Sequence, residues 1–222
     1  MTDTGRALAG VGRRTRKSID EVLSELRAQS TRVEGEVTLT TVIALMPFLE
    51  KPLAALERAH PSLHVTVHLG DDGPSVRERE VDLALAIVKR PPQGCWGRRI
   101  ATLKAGVFGT KDAIAREPRK FLVRSLNEVH SPESAWEREH VKHVAARVPY
   151  FAMASLAARG VGLTMLPHLL TAPYPELVEV PEYAKSLAAM ERPLWILTHA
   201  ELRKVPRVST VMNAVADAFE AT

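Results

Sequence analysis

Apolar and polar positions follow two different rhythms along the chain. Over residues 4–33, Leu8, Thr15 and Val22 stand at heptad spacing, interleaved with Ile19, Leu26 and Val33. Asp20, Glu21, Glu25, Arg27 and Arg32 fill the other faces. A stripe this narrow, flanked by charge, suits a long helix paired with a partner helix better than a broad core face. Gly10, Gly12 and Thr15 weaken helix formation in the first third, and packing against its own domain is the competing reading.

After Glu34 the rhythm becomes that of a parallel α/β unit. Residues 37–42 are rich in β-branched side chains and predict a strand. Leu49, Leu53 and Leu56 mark a helix, with Pro52 expected in its first turn, where a missing N–H costs nothing. Leu63, Val65, Val67 and Leu69 alternate with His64, Thr66 and His68, the pattern of a half-buried strand. Residues 81–88 are almost continuously apolar, as a central strand covered on both faces requires. Strand–helix–strand connections of this length imply right-handed crossovers. Beyond Pro91-Pro92 a second α/β unit is expected, with strands at 100–109, 121–126, 143–148, 161–166, 177–180 and 194–198. Met153, Leu156 and Ala157 form the inward face of a helix that stops at Gly160. Val208, Val211, Met212, Val215 and Phe219 mark a closing amphipathic helix.

Composition narrows the class. A chain of 222 residues, 45% hydrophobic and 25% charged, has ample material for a core and is ordinary for a soluble globular protein. The net charge of +4 is compatible with nucleic acid but does not imply it. A single cysteine, Cys95, excludes an internal disulfide and fits a reducing cytoplasm. Arg13, Arg14, Arg16 and Lys17 stand where a signal peptide would be apolar, and no apolar run approaches the roughly 20 residues of a membrane span. The expected location is therefore cytoplasmic, with no membrane partner.

Candidate chemistry is sparse. Thr40 and Thr41 end a strand just before a helix, where hydroxyls and free N–H groups can hold a carboxylate or can equally satisfy local backbone. Asp71-Asp72, next to Gly70, Gly73 and Pro74, read as a solvated turn. His64 and His68 share a strand face, and His140 and His143 lie three apart, but neither pair has the further ligands zinc needs. Cys95 has no adjacent base, and the arginine cluster on the first helix reads as a solvated face. No Gly-x-Ser-x-Gly, phosphate loop or dinucleotide fingerprint occurs. No catalytic residue, metal or cofactor is expected.

Several short runs carry a family resemblance. Gly160-Val-Gly162-Leu-Thr-Met-Leu-Pro167 is a glycine-bounded strand ending in Leu-Pro, and Leu194-Trp-Ile-Leu-Thr-His199 is a buried strand with a polar end. Thr2-Asp-Thr-Gly5-Arg-Ala-Leu8, Glu34-Gly-Glu-Val-Thr-Leu-Thr41, His60-Pro61, Arg77-Glu-Arg-Glu-Val-Asp82-Leu-Ala-Leu85 and Gly97-Arg-Arg99 stand in matching order. Together they resemble LysR-type transcriptional regulators, from the linker helix to the end of the sensor domain. The winged helix-turn-helix of that family is missing from these residues.

The resemblance implies a periplasmic-binding-protein-like α/β fold: two lobes joined by crossing strands and preceded by a long linker helix. Its divisions would be 1–33 for the linker and dimerisation helix, 34–103 with 194–222 for the first lobe, and 104–193 for the second. It implies an effector-sensing and dimerisation module, not an enzyme. A small polar or anionic effector would bind between the lobes. One wall would be Thr40, Thr41, Val42, Gly70 and Asp71; the other, Ser125, Asn127, Tyr150, Pro167 and His168. Leu8, Ile19, Val22, Leu26 and Val33 would pair two copies as a homodimer or higher homo-oligomer. DNA would be reached only through the missing winged domain. The alternatives are a solute-binding protein of a transport system and, last, an α/β enzyme.

Overall fold

The computed structural model describes residues 15–17, 19, 32–70, 76–125 and 132–220. In chain order, β1 (Gly35–Thr41) passes through a 3-10 turn (Ile43–Leu45) into α1 (Met46–Ala59). β2 (Leu63–Leu69), β3 (Leu83–Ile87) and the long β4 (Cys95–Gly109) follow. Next come α2 (Lys111–Ala115), β5 (Phe121–Arg124), α3 (Pro132–His140), β6 (Val144–Val148) and α4 (Tyr150–Ala158). β7 (Thr164–Pro167), β8 (Val178–Glu179), α5 (Ala184–Leu187), β9 (Glu191–His199) and α6 (Pro206–Glu220) complete the order.

Two lobes share two strands. In the first, β2, β1 and β3 run parallel, β9 joins β3 antiparallel, and β4 joins β9 antiparallel. β4 then leaves β9 beyond Lys104 and pairs with β7 from Ala105 to Phe108, which carries it into the second lobe. Its register shifts between Arg99 and Ala101, an irregularity of the kind that bends a strand. In the second lobe β5 and β6 are parallel, and β5 connects to the chain entering β7 through Phe121 and Leu163. Leu39, Leu49, Leu83, Ile196, Val208 and Val215, each nearly inaccessible to water, sit in the core under α1 and α6. Separate clusters around Trp136 and Met153 fill the second lobe.

Polar side chains stitch the first sheet. The Thr38 backbone N–H donates to Asp82 Oδ2 at 2.9 Å, and the Asp82 N–H donates to Thr38 Oγ1 at 2.9 Å. Thr198 Oγ1 donates to the Asp82 carbonyl at 2.8 Å, tying β9 to the same point. Two glycines in the second lobe are required. Gly160, at φ +73, ends α4 with its N–H bonded to the Ala157 carbonyl, in the left-handed conformation a side chain resists. A Cβ on Gly162 would lie 2.7 Å from the Lys120 carbonyl oxygen, so the two backbones approach only because it has none.

The structure corrects several expectations from pattern. Pro52 lies inside α1, with Pro47 in the first turn instead. Pro52 is buried; its missing N–H and its ring at the preceding turn are tolerated because the helix is held by the core beneath it. β4 begins at Cys95 rather than at residue 100, because pairing with β9 recruits Gly97, Arg98 and Arg99 despite their weak strand character. β5 stops at Arg124, and β7 starts at Thr164, since Leu163 makes only a single bridge. Most of the stretch expected to form the N-terminal helix lies outside the described residues, including Leu8, Val22 and Leu26. Thr15, Arg16, Lys17 and Ile19 are helical and exposed. Val33 is not helical: the chain bends at Arg32, and Val33 packs against the first-lobe core instead of extending a pairing stripe.

Candidate interlobe effector site

Strand direction brings the candidate residues together. Ile87, ending β3, pairs with Leu194, and Pro167, ending β7, pairs with Ala105. Both pairings sit beside the crossing of β4 and β9, so the carboxyl ends of β1–β3 and of β5–β7 face each other across the hinge. Ligands of open α/β sheets bind at such ends, where loops and helix starts leave donors available.

On the first-lobe side, Thr41 closes β1. It is 2% exposed, and its Oγ1 has no hydrogen-bond partner. A buried hydroxyl left unpaired costs free energy, so its retention needs a reason. Thr40 sits between His68 and Ala84 in the sheet, and the Gly70 N–H donates to the Thr41 carbonyl at 3.2 Å. Val42 precedes the 3-10 turn in extended conformation, and no side chain caps that turn. Asp71 lies outside the described residues.

On the second-lobe side, Tyr150 opens α4 and packs against the core clusters of both lobes. It lines an apolar interlobe gap of about 110 Å³ whose mouth carries Ile43 and Phe151, 46% and 54% exposed. The Arg124 guanidinium lies 4.9 Å from the Tyr150 ring centroid. Arg124 Nη1 also donates to Glu137 Oε1 at 2.6 Å, with the two side chains only 8% and 10% exposed. The Ser125 backbone N–H donates to the Val148 carbonyl at 3.0 Å, and the residue lines a separate cavity inside the second lobe. Asn127 lies outside the described residues.

Pro167 lies at the crossing, but the His168 side chain is committed to the scaffold. Its Nδ1 is 2.9 Å from the Lys104 carbonyl oxygen, its Nε2 is 3.2 Å from Glu179 Oε2, and its ring meets Phe108 edge-on. A further interlobe space is one the sequence did not suggest. A cavity of about 360 Å³ is lined by Ile87 at the end of β3, Val88 and Lys89 beyond it, Pro132 at the start of α3, and Met190, Glu191 and Arg192 where β9 begins. Its volume is in the range of small-molecule sites. Arg192 is tied to Glu133 at 2.6 Å. Arg124 and Glu137 were missed as well; the one available signal was an arginine ending the apolar run Phe121–Val123.

Among the described residues no group of three His, Cys, Asp or Glu side chains could hold a metal ion. Cys95 sits at the far end of β4, where burial raises its thiol above the usual range and Arg77 only partly offsets it, so thiolate is disfavoured. No described helix is long and apolar enough to cross a membrane.

Residues 30–220 match the LysR substrate binding domain family. The chain belongs to that family. No curated protein matches the sequence. Among solved structures it resembles the full-length virulence activator AphB of Vibrio cholerae, a member of the LTTR protein family, with TM-score 0.67 and 12% identity over 98% of this chain and 80% of that one. The regulatory domain of CrgA, a LysR-type transcriptional regulator from Neisseria meningitidis, gives 0.64 and 14% over 84% of this chain and 99% of that one. The regulatory domain of MetR from N. meningitidis, a LysR family regulator, gives 0.59 and 13% over 84% and 95%. Identities this low bear on fold alone, and that fold is the periplasmic-binding-protein-like arrangement of two lobes. As a LysR substrate binding domain, the chain is an effector-binding module of a regulator; the transport and enzyme readings are not favoured.

Proposed function

We propose that this LysR module takes a small polar or anionic effector between its lobes, divided as 34–103 with 194–222 against 104–193. The observation that carries the reading is the buried Thr41 hydroxyl left without a partner at the carboxyl end of β1, next to the 3-10 turn whose Ile43 and Ala44 line an interlobe gap with Tyr150. Thr40, Thr41, Val42 and Gly70 would form one wall; Tyr150 and the backbone at Pro167 would form the other. His168 would act through its backbone, since its ring is engaged elsewhere. Closure on the effector would be relayed by the N-terminal helix to a DNA-binding domain, in the cytoplasm and without catalysis. Calorimetry against a metabolite panel is expected to find a ligand that binds at least about tenfold more weakly when Thr41→Ala is combined with Tyr150→Ala, the loss of one or two hydrogen bonds. Strong binding left untouched by both substitutions would place the effector elsewhere.

The same reading makes the protein a homodimer through its N-terminal helix. Ile19 supports this: it is helical and, although apolar, 55% exposed. Replacing Ile19 and Leu26 with Glu is expected to shift sedimentation toward the monomer. A dimer that survives both changes would reject the pairing.

A further inference from the structure

We infer that the effector carries a single aromatic ring beside its polar or anionic head, and that the ring seats in the apolar gap between the lobes. The inference deepens the proposed function and rests on its reading that Thr41 meets the head.

The lining sets the chemistry of the occupant. Two of the chain's three tyrosines and two of its five phenylalanines meet at this gap, Phe48 from the first lobe and Tyr150, Phe151 and Tyr174 from the second. None of its described lining residues is charged. Aromatic side chains pair with another ring more favourably than the buried area alone gives. The gap's volume, about 110 Å³, suits a body of that size, since an apolar cavity of roughly 150 Å³ takes benzene.

Two of the walls are fixed before anything binds. Phe48 stacks on Phe219 with ring centroids 5.2 Å apart, and the Arg124 guanidinium lies 4.9 Å from the Tyr150 ring centroid. A preformed wall spares a ligand the cost of ordering side chains. Ile43 and Phe151 instead stand exposed, one from each lobe, where a ring entering the gap would cover both.

A charged head has no place among these apolar side chains. Thr41 lies two residues before Ile43, a chain distance of at most about 7 Å. Its buried hydroxyl has no hydrogen-bond partner. One small molecule can therefore span both, with its ring between Phe48 and Tyr150 and its head toward the end of β1.

Calorimetry of the whole chain with phenylacetate, cyclohexylacetate and acetate, three acids with one head and different bodies, tests the proposal. Phenylacetate is expected to bind with a millimolar or tighter Kd, and acetate at least about tenfold more weakly. Ala44→Leu, which fills the gap from the first-lobe side, is expected to weaken phenylacetate at least about tenfold. If that variant does not fold, Phe151→Ala, a change at an exposed side chain, is expected to weaken it at least about threefold. Cyclohexylacetate binding as tightly as phenylacetate would overturn the aromatic assignment. Phenylacetate binding no tighter than acetate, with both lost in Thr41→Val, would overturn the ring and leave the interlobe reading standing. Absence of phenylacetate binding up to tens of millimolar would also overturn the ring, leaving that reading to effectors of other chemistry. Phenylacetate binding indifferent to Ala44→Leu, Phe151→Ala and Thr41→Val would overturn both. A shift toward monomer in Phe151→Ala at unchanged phenylacetate affinity would assign the gap to a second copy and overturn the proposal.

Discussion

Glu137→Ala is expected to destabilise the protein by about 3–5 kcal/mol, the usual cost of stranding one partner of a buried ion pair. The substitution leaves the Arg124 guanidinium, 8% exposed, without its carboxylate at 2.6 Å. The penalty comes from a desolvated charge rather than from the value of the pair itself. The double variant Arg124→Met/Glu137→Leu removes both charges and fills similar volume, so it is expected to lie much closer to the parent protein. Urea unfolding of Arg124→Met, Glu137→Leu and the double variant gives the coupling directly. A loss below about 1 kcal/mol in Glu137→Ala would mean that water reaches Arg124 and that the pair behaves as a surface bridge.

Thr41→Val is expected to do the opposite, raising stability by about 1 kcal/mol, equivalent to roughly 2–4 °C in Tm for a chain of this size. Valine keeps the shape and removes an Oγ1 that is buried without a partner. Two further threonines make the comparison decisive. Thr198 is fully buried but donates to the Asp82 carbonyl at 2.8 Å, so Thr198→Val is expected to lose about 1 kcal/mol. Thr164 is fully buried and unpartnered like Thr41, but it starts β7, away from the hinge. Thr164→Val is therefore expected to gain stability without affecting effector binding, whereas Thr41→Val should gain stability and weaken it. Stability given up in favour of function is common where a polar group waits for a ligand. If Thr41→Val behaves like Thr198→Val in thermal unfolding, the hydroxyl has a structural partner and the argument for Thr41 fails.

Much of the architecture was legible because burial imposes a period on sequence. β2 spans the expected residues and alternates as far as His68, since an edge strand covered on one face must alternate; Leu69 at its end is exposed. β3 read as central because Leu83, Ala84 and Leu85 are buried on both faces. The stop at Gly160 and the closing helix α6 followed from equally local rules. The family was legible too, because short runs fixed by turns and strand ends kept their order and spacing.

The site was only half legible, and the reason is physical. Thr41 and Tyr150 could be named because strand ends and helix starts face a cleft in this class of fold. What each side chain does there depends on partners far away in sequence. His168 is held by Lys104 and Glu179, and Pro52 is accommodated by the core beneath α1. The hinge cavity draws on residues near 88, 132 and 191, and Arg124 becomes a buried charge only when α3 brings Glu137 over it. Sequence by itself determined the elements, the faces they bury and the family, because those rest on local periodicity. Tertiary structure alone decided which polar groups are paired, which are stranded and where space remains, because these depend on contacts between residues that no local pattern links.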